Sequence, residues 1–146
     1  MAGKMATRPH KLLTRAEKAH LRELVEAVER DTGAEIATLV IPHVDDLERF
    51  ATDYFNHMGI GKREHHNGVL ILVVVDRRRA RIEVGHGLEA VVTADAAKRI
   101  IAEVMAPEFR LGRYGAGLTR AVEAVAGLIR SAQPGATRPH PPHDRP

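Results

Sequence analysis

Between Val69 and Val75 the chain carries seven consecutive apolar residues, preceded by Asn67-Gly68 and closed by Asp76. A strand that is apolar at every position has to be covered on both faces, so this segment reads as the central strand of a layered fold. Glycines gather on either side of it: Gly59 and Gly61 upstream, Gly85 and Gly87 downstream, then Gly112, Gly115 and Gly117. Glycine weakens regular elements unless the backbone must turn tightly or admit a neighbour, so these positions mark turns and close approaches.

The elements around that strand follow from periodicity and caps. Thr14-x-x-Glu17 is a capping box, and Leu21, Leu24, Val25 and Val28 repeat at helical spacing up to Gly33, which supplies a left-handed stop. Glu35 to Ile41 is β-rich and halted by Pro42. Asp45 or Asp46 caps a second helix, with Leu47, Phe50, Ala51, Tyr54, Phe55 and Met58 on one stripe and Gly59 at its end. Arg81 to Val84 alternates like an edge strand with one solvated face. The link Asp76 to Arg79 is too short for a parallel crossover, so this strand and the central one form an antiparallel hairpin. The first strand reaches the central one through a helix, which implies a right-handed parallel crossover. Thr93 caps a third helix that ends before Pro107, and a fourth runs from Tyr114 to Ile129. The expected architecture is α/β: a three-layer α/β/α sandwich around a small mixed sheet.

Composition narrows the function. The 146 residues suit one domain, and with no Cys the chain has no disulfides, no Cys-ligated metal and no thiol nucleophile. No apolar stretch approaches the ~20 residues of a membrane span and the N-terminus lacks a signal-peptide core, so a soluble, cytoplasmic protein is expected. The formal charge is +3, but of the 22 Lys and Arg residues Lys4, Arg8, Lys11, Arg138 and Arg145 fall outside Thr14 to Ser131. The basicity therefore belongs to the tails, residues 1–12 and the Pro-rich 132–146, which are expected to be disordered around a domain at 13–131. Nucleic-acid recognition also lacks aromatic platforms, since Phe50, Tyr54, Phe55, Phe109 and Tyr114 are the only candidates and most sit at core-like spacing.

Five short motifs in order resemble the TPM domain family: Gly59-Ile60-Gly61, Asn67-Gly68-Val69-Leu70, Asp76-Arg77, Glu83-Val84-Gly85-x-Gly87-Leu88-Glu89 and Pro107-x-Phe109-Arg110-x-Gly112-x-Tyr114. The resemblance covers roughly Leu13 to Ile129. It implies an α/β/α sandwich, acid-phosphatase activity in some members and binding of divalent cations, calcium included, in others. The chain departs from the family pattern with Met58 where Trp is common, Arg113 where Asp is common, and the acidic residue of the third helix cap shifted to Asp95.

Two ends of the sheet compete for a site. At the carboxyl ends of the parallel strands, where α/β sheets usually hold ligands, lie His43, Asp45, Asp46, Asp76 and Arg77. Carboxylates from separate loops could share Ca²⁺ or Mg²⁺, and such an ion could polarise a phosphoryl group. Asp76 is the foremost metal candidate, with Asp45 assisting; against this, Asp45 and Asp46 serve equally as helix caps and Asp76 as a turn residue. At the opposite end the glycines gather with Glu89, the second metal candidate, although they match neither a dinucleotide fingerprint nor a P-loop. His86 has no carboxylate partner assignable from sequence, and Arg77, Arg78, Arg79 and Arg81 read as a solvated edge. Two functions are carried forward: a module that binds a divalent cation and a protein partner with weak or no catalysis, and a metal-assisted phosphatase acting on phosphomonoesters through Asp76.

Overall fold

The structure, a computed structural model, describes residues 13–61 and 64–132. Helix α1 (Arg15–Thr32) starts at the Thr14 capping box, with Glu17 N–H donating to Thr14 Oγ1 at 3.0 Å and Thr14 N–H donating to Glu17 Oε1 at 2.9 Å. It stops at Gly33, whose φ of 84° is left-handed. Strand β1 (Glu35–Ile41) leads to α2 (Leu47–Met58), and the cap is Asp46, whose carboxylate accepts from Arg49 N–H at 3.1 Å. Strands β2 (Gly68–Val74) and β3 (Arg79–Val84) complete the sheet.

The strand order is β1-β2-β3, with β1 parallel to β2 and β3 antiparallel to it, as the link lengths require. The hairpin loop is Val75 to Arg78, closed by Arg78 N–H donating to Val75 O at 3.1 Å, so β3 begins two residues earlier than the alternating pattern indicated. Every residue of β2 is buried. Val69, Ile71 and Val73 face a large core shared with α1 and the C-terminal helices, while Leu70, Leu72 and Val74 face a smaller one under α2. The three-layer sandwich is thus asymmetric, with one helix on one face and the remaining helices on the other.

The third helix departs from expectation. Helix α3 (Ala94–Arg99), capped by Thr93, does not stop before Pro107 but widens into a π-helical segment, Ile100–Met105, and continues as α4 (Ala106–Arg110). Ala106 N–H donates to Ile101 O, five residues back, instead of to the usual fourth. Proline in an α-helix clashes with the carbonyl four residues earlier and lacks an amide. The wider register eases the clash, and Pro107 falls in the first turn of α4, where an amide has no intrahelical partner. Helix α5 (Tyr114–Ser131) then buries Tyr114, Leu118, Val122, Val125 and Ile129. The tail segments 1–12 and 133–146 lie outside the described residues.

Candidate functional site

At the carboxyl end of the parallel pair the ladder continues one step past each strand, with Val75 N–H donating to Ile41 O at 3.0 Å and Asp76 N–H to Pro42 O at 3.1 Å. This extension fixes Asp76 opposite the Pro42-His43 turn. His43 Nδ1 then lies 2.6 Å from Asp76 Oδ2, and His43 Nε2 lies 3.0 Å from Asp45 Oδ1. A ring whose two nitrogens both face carboxylates satisfies them only as imidazolium, because the neutral ring has one donor. The Asp76 hydrogen bond first, and the Asp45 hydrogen bond second, hold the His43 pKa above its ordinary value of 6.5. The side chains are open to water: Asp45 is 98% exposed, Asp76 42% and His43 53%. Asp76 is the better anchored of the two carboxylates, since its own amide is tied into the sheet.

A raised folded-state pKa means that the His43 contribution to folding is complete below pH 6.5 and fades as pH rises through the raised value. We expect the His43 ring to titrate above 6.5 in an NMR pH series, with Asp76→Asn lowering its pKa more than Asp45→Asn. Equal effects of the two substitutions, or an unshifted ring in the native protein, would contradict the geometry.

At the opposite end a cleft of about 730 Å³ lies between α2, the end of β3 and the loop before β2. Glu89 faces it and pairs with His86, Oε2 lying 3.1 Å from Nδ1. His86 therefore does have a carboxylate partner, three residues on, where the short 3₁₀ turn His86–Leu88 brings them together. Glu83, which the sequence reading did not single out, also lines this cleft and accepts from Thr52 Oγ1 at 3.2 Å and from Arg81 Nε at 3.2 Å. Its alternation within β3 carried no hint of this, because the partners come from α2 and the strand itself.

The glycines of this end are occupied by the protein's own backbone. A Cβ on Gly68 would stand 2.5 Å from Ile60 O, and one on Gly61 2.5 Å from Gly68 N. A Cβ on Gly85 would stand 2.5 Å from His66 O, and one on Gly87 would collide with His65 O. The loop before β2 thus crosses directly over the residues after β3, which accounts for the paired glycines without an anion. Asn67 secures the crossing, its Nδ2 donating to Gly33 O at 2.9 Å.

The structure separates the predicted metal candidates accordingly: Asp76 and Asp45 meet on His43, while Glu89 stands at the other end of β3. Among the described residues no group of three or more His, Asp or Glu side chains is arranged to hold a metal ion. Arg113 is 3.9 Å from Glu108 Oε1, and Arg120 Nη1 donates to Glu108 Oε2 at 3.1 Å, tying the start of α5 to α4. No helix among the described residues is long and apolar enough to cross a membrane.

A small mixed sheet between a single helix and a helical layer, with polar side chains collected at the carboxyl ends of its parallel strands, defines an α/β domain of the three-layer kind. The chain belongs to the TPM domain family, whose pattern it matches over residues 7–128. It is similar to the N-terminal domain of a protein from P. gingivalis solved by NMR, with 32% identity, a TM-score of 0.76, and 82% of this chain and 78% of that chain covered. The BA42 protein of Bizionia argentinensis shares the fold at 23% identity and a TM-score of 0.72, covering 82% of each chain. The N-terminal domain of a Corynebacterium glutamicum protein does so at 12% identity and a TM-score of 0.65, over 88% of this chain and 81% of that one. A comparison with curated proteins finds no match.

Proposed function

We propose that this TPM domain is a binding module that takes a hard divalent cation, Ca²⁺ or Mg²⁺, on Asp76 and Asp45 and engages a protein partner, with weak or no catalysis. The observation that carries this reading is the meeting of two carboxylates, 31 positions apart in sequence, on one imidazole in the exposed crevice after β1 and β2. The fit to a cation is partial. Two carboxylates supply fewer than the 6–8 oxygens that Ca²⁺ prefers, so water would complete the shell and the affinity falls at the weak end, Kd on the order of 10⁻³ M. His43 as imidazolium already pairs with both carboxylates and offsets one of their two charges, so a cation has to displace it from at least one of them. Glu89, paired with His86 at the far cleft, would take part only in a separate site.

Solvent exposure argues for binding over chemistry, because charges aimed at a transition state act strongly where water is excluded and weakly where it is not. The phosphatase reading retains one supporting feature: an imidazolium between two carboxylates could deliver a proton to a leaving alkoxide. Calorimetric titration with Ca²⁺ and Mg²⁺ is expected to show millimolar binding that Asp76→Asn removes and Asp45→Asn weakens, alongside no phosphomonoester turnover above the Asp76→Asn control. Asp76-dependent turnover would replace the binding module by the phosphatase; unchanged cation binding in Asp76→Asn would move the cation elsewhere.

A further inference from the structure

The two edges of the sheet are treated differently by the sequence. The β3 edge carries Arg79 and Arg81, charges of the kind that discourage strand pairing. The β1 edge, from Ile36 to Ile41, has no charge and no proline. Glu35 N–H donates to Asn67 O and Ile41 O accepts from Val75 N–H, so the odd-numbered residues of β1 bond towards β2. By the alternation of a strand, Ile36, Thr38 and Val40 turn their amides and carbonyls outward. Among the described residues nothing bonds to these groups. Beside them, between β1 and α1, runs a groove of about 540 Å³ with Leu21, Val25, Val40 and Leu118 in its wall and Lys18 and Arg22 on its rim.

Lys18 and Arg22 are four residues apart on one face of α1, a like-charge spacing that weakly destabilises a helix. Among the described residues neither is in an ion pair and no acidic side chain lines the groove. We infer that the β1 edge is a docking site for a protein partner that adds an extended, acidic segment as a fourth strand, its carboxylates meeting Lys18 and Arg22 and its amides pairing with Ile36, Thr38 and Val40. This assigns a surface and a chemistry to the partner half of the proposed function and is independent of the cation at Asp76. The chain's own termini do not suit the groove: residues 1–12 contain Lys4, Arg8 and Lys11 and no acid, and residues 133–146 are rich in proline with Arg138 and Arg145 against Asp144. A second copy paired antiparallel about Thr38 would set Lys18 and Arg22 of one α1 against those of the other.

The test is an amide-resolved NMR titration of the full chain with a blocked heptapeptide of alternating glutamate and valine, and with its lysine-for-glutamate counterpart. Saturable shifts and slowed hydrogen exchange at Ile36, Thr38 and Val40 are expected with the glutamate peptide alone. Thr38→Pro removes an outward amide and should abolish them; Lys18→Glu with Arg22→Glu, on the exposed helix face, should weaken binding at least tenfold and serves if the proline variant does not fold. Asp76→Asn should bind the peptide as the native protein does, which separates this inference from the cation site. Absence of shifts on β1 at millimolar peptide, equal binding of the lysine peptide, or β1 protection that depends on protein concentration without peptide would each overturn it.

Discussion

Replacing Phe109 with alanine is expected to lower stability by about 3–5 kcal/mol, the range for deleting a fully buried aromatic side chain. Phe109 is 2% exposed, its ring stacks on Tyr114 with centroids 5.1 Å apart, and its edge fills the space left by Gly117, where a Cβ would lie 2.7 Å from Cε1. One ring thereby joins α4 to the first turns of α5, and its removal leaves a hole beside Tyr114 and Gly117. Urea denaturation would show the loss as a fall in midpoint with little change in slope. A loss below about 1 kcal/mol, smaller than any collapse of a buried ring normally allows, would mean that the α4–α5 junction is not packed as described.

Gly68→Ala is the second large effect, expected at about 3 kcal/mol, the upper part of the range for forcing atoms into a filled interior. The added methyl would meet Ile60 O at 2.5 Å and Gly61 N at 2.7 Å, main-chain atoms that cannot swing aside as a side chain can. Gly68 also opens β2 and accepts from Gly85 N–H at 2.8 Å, so movement there disturbs the register of β3 as well. Gly127→Ala provides the control, since nothing lies within 4 Å of a Cβ there, and helix α5 should gain slightly from it. The same denaturation series compares the two; a Gly68→Ala protein as stable as Gly127→Ala would deny the backbone crossing.

How much of this was legible from sequence varies by element. The Thr14 capping box, the left-handed Gly33 and the doubly buried β2 are local signals, each resting on a few adjacent residues, and the structure has them, with β2 running one residue earlier, Gly68–Val74, and Val75 in the hairpin loop. The choice between Asp45 and Asp46 as cap was open because either spacing suits a helix start; Asp46 caps, which releases Asp45 to reach His43. Pro107 reads as a stop because the interior of an α-helix does not carry proline; the change of helical register before it, invisible to periodicity, puts Pro107 in a new first turn and lets the chain continue. The pairing of His43 with Asp76 spans 33 positions and depends on the parallel registration of Ile41 with Val74, a tertiary fact that no local pattern encodes. The glycines signalled close approach correctly, but not that the approaching group would be the chain's own loop at Ile60 and His66.

We propose Asp76 and Asp45, joined by His43, as the functional site, and an amide-resolved NMR titration with Ca²⁺ followed by Mg²⁺ reports binding and position together. Saturable shifts confined to residues 42–46 and 75–77, with displacement of the His43 ring signals and loss of the response in Asp76→Asn, are the predicted result. Shifts centred on residues 85–89 instead, or none at millimolar cation, would contradict it.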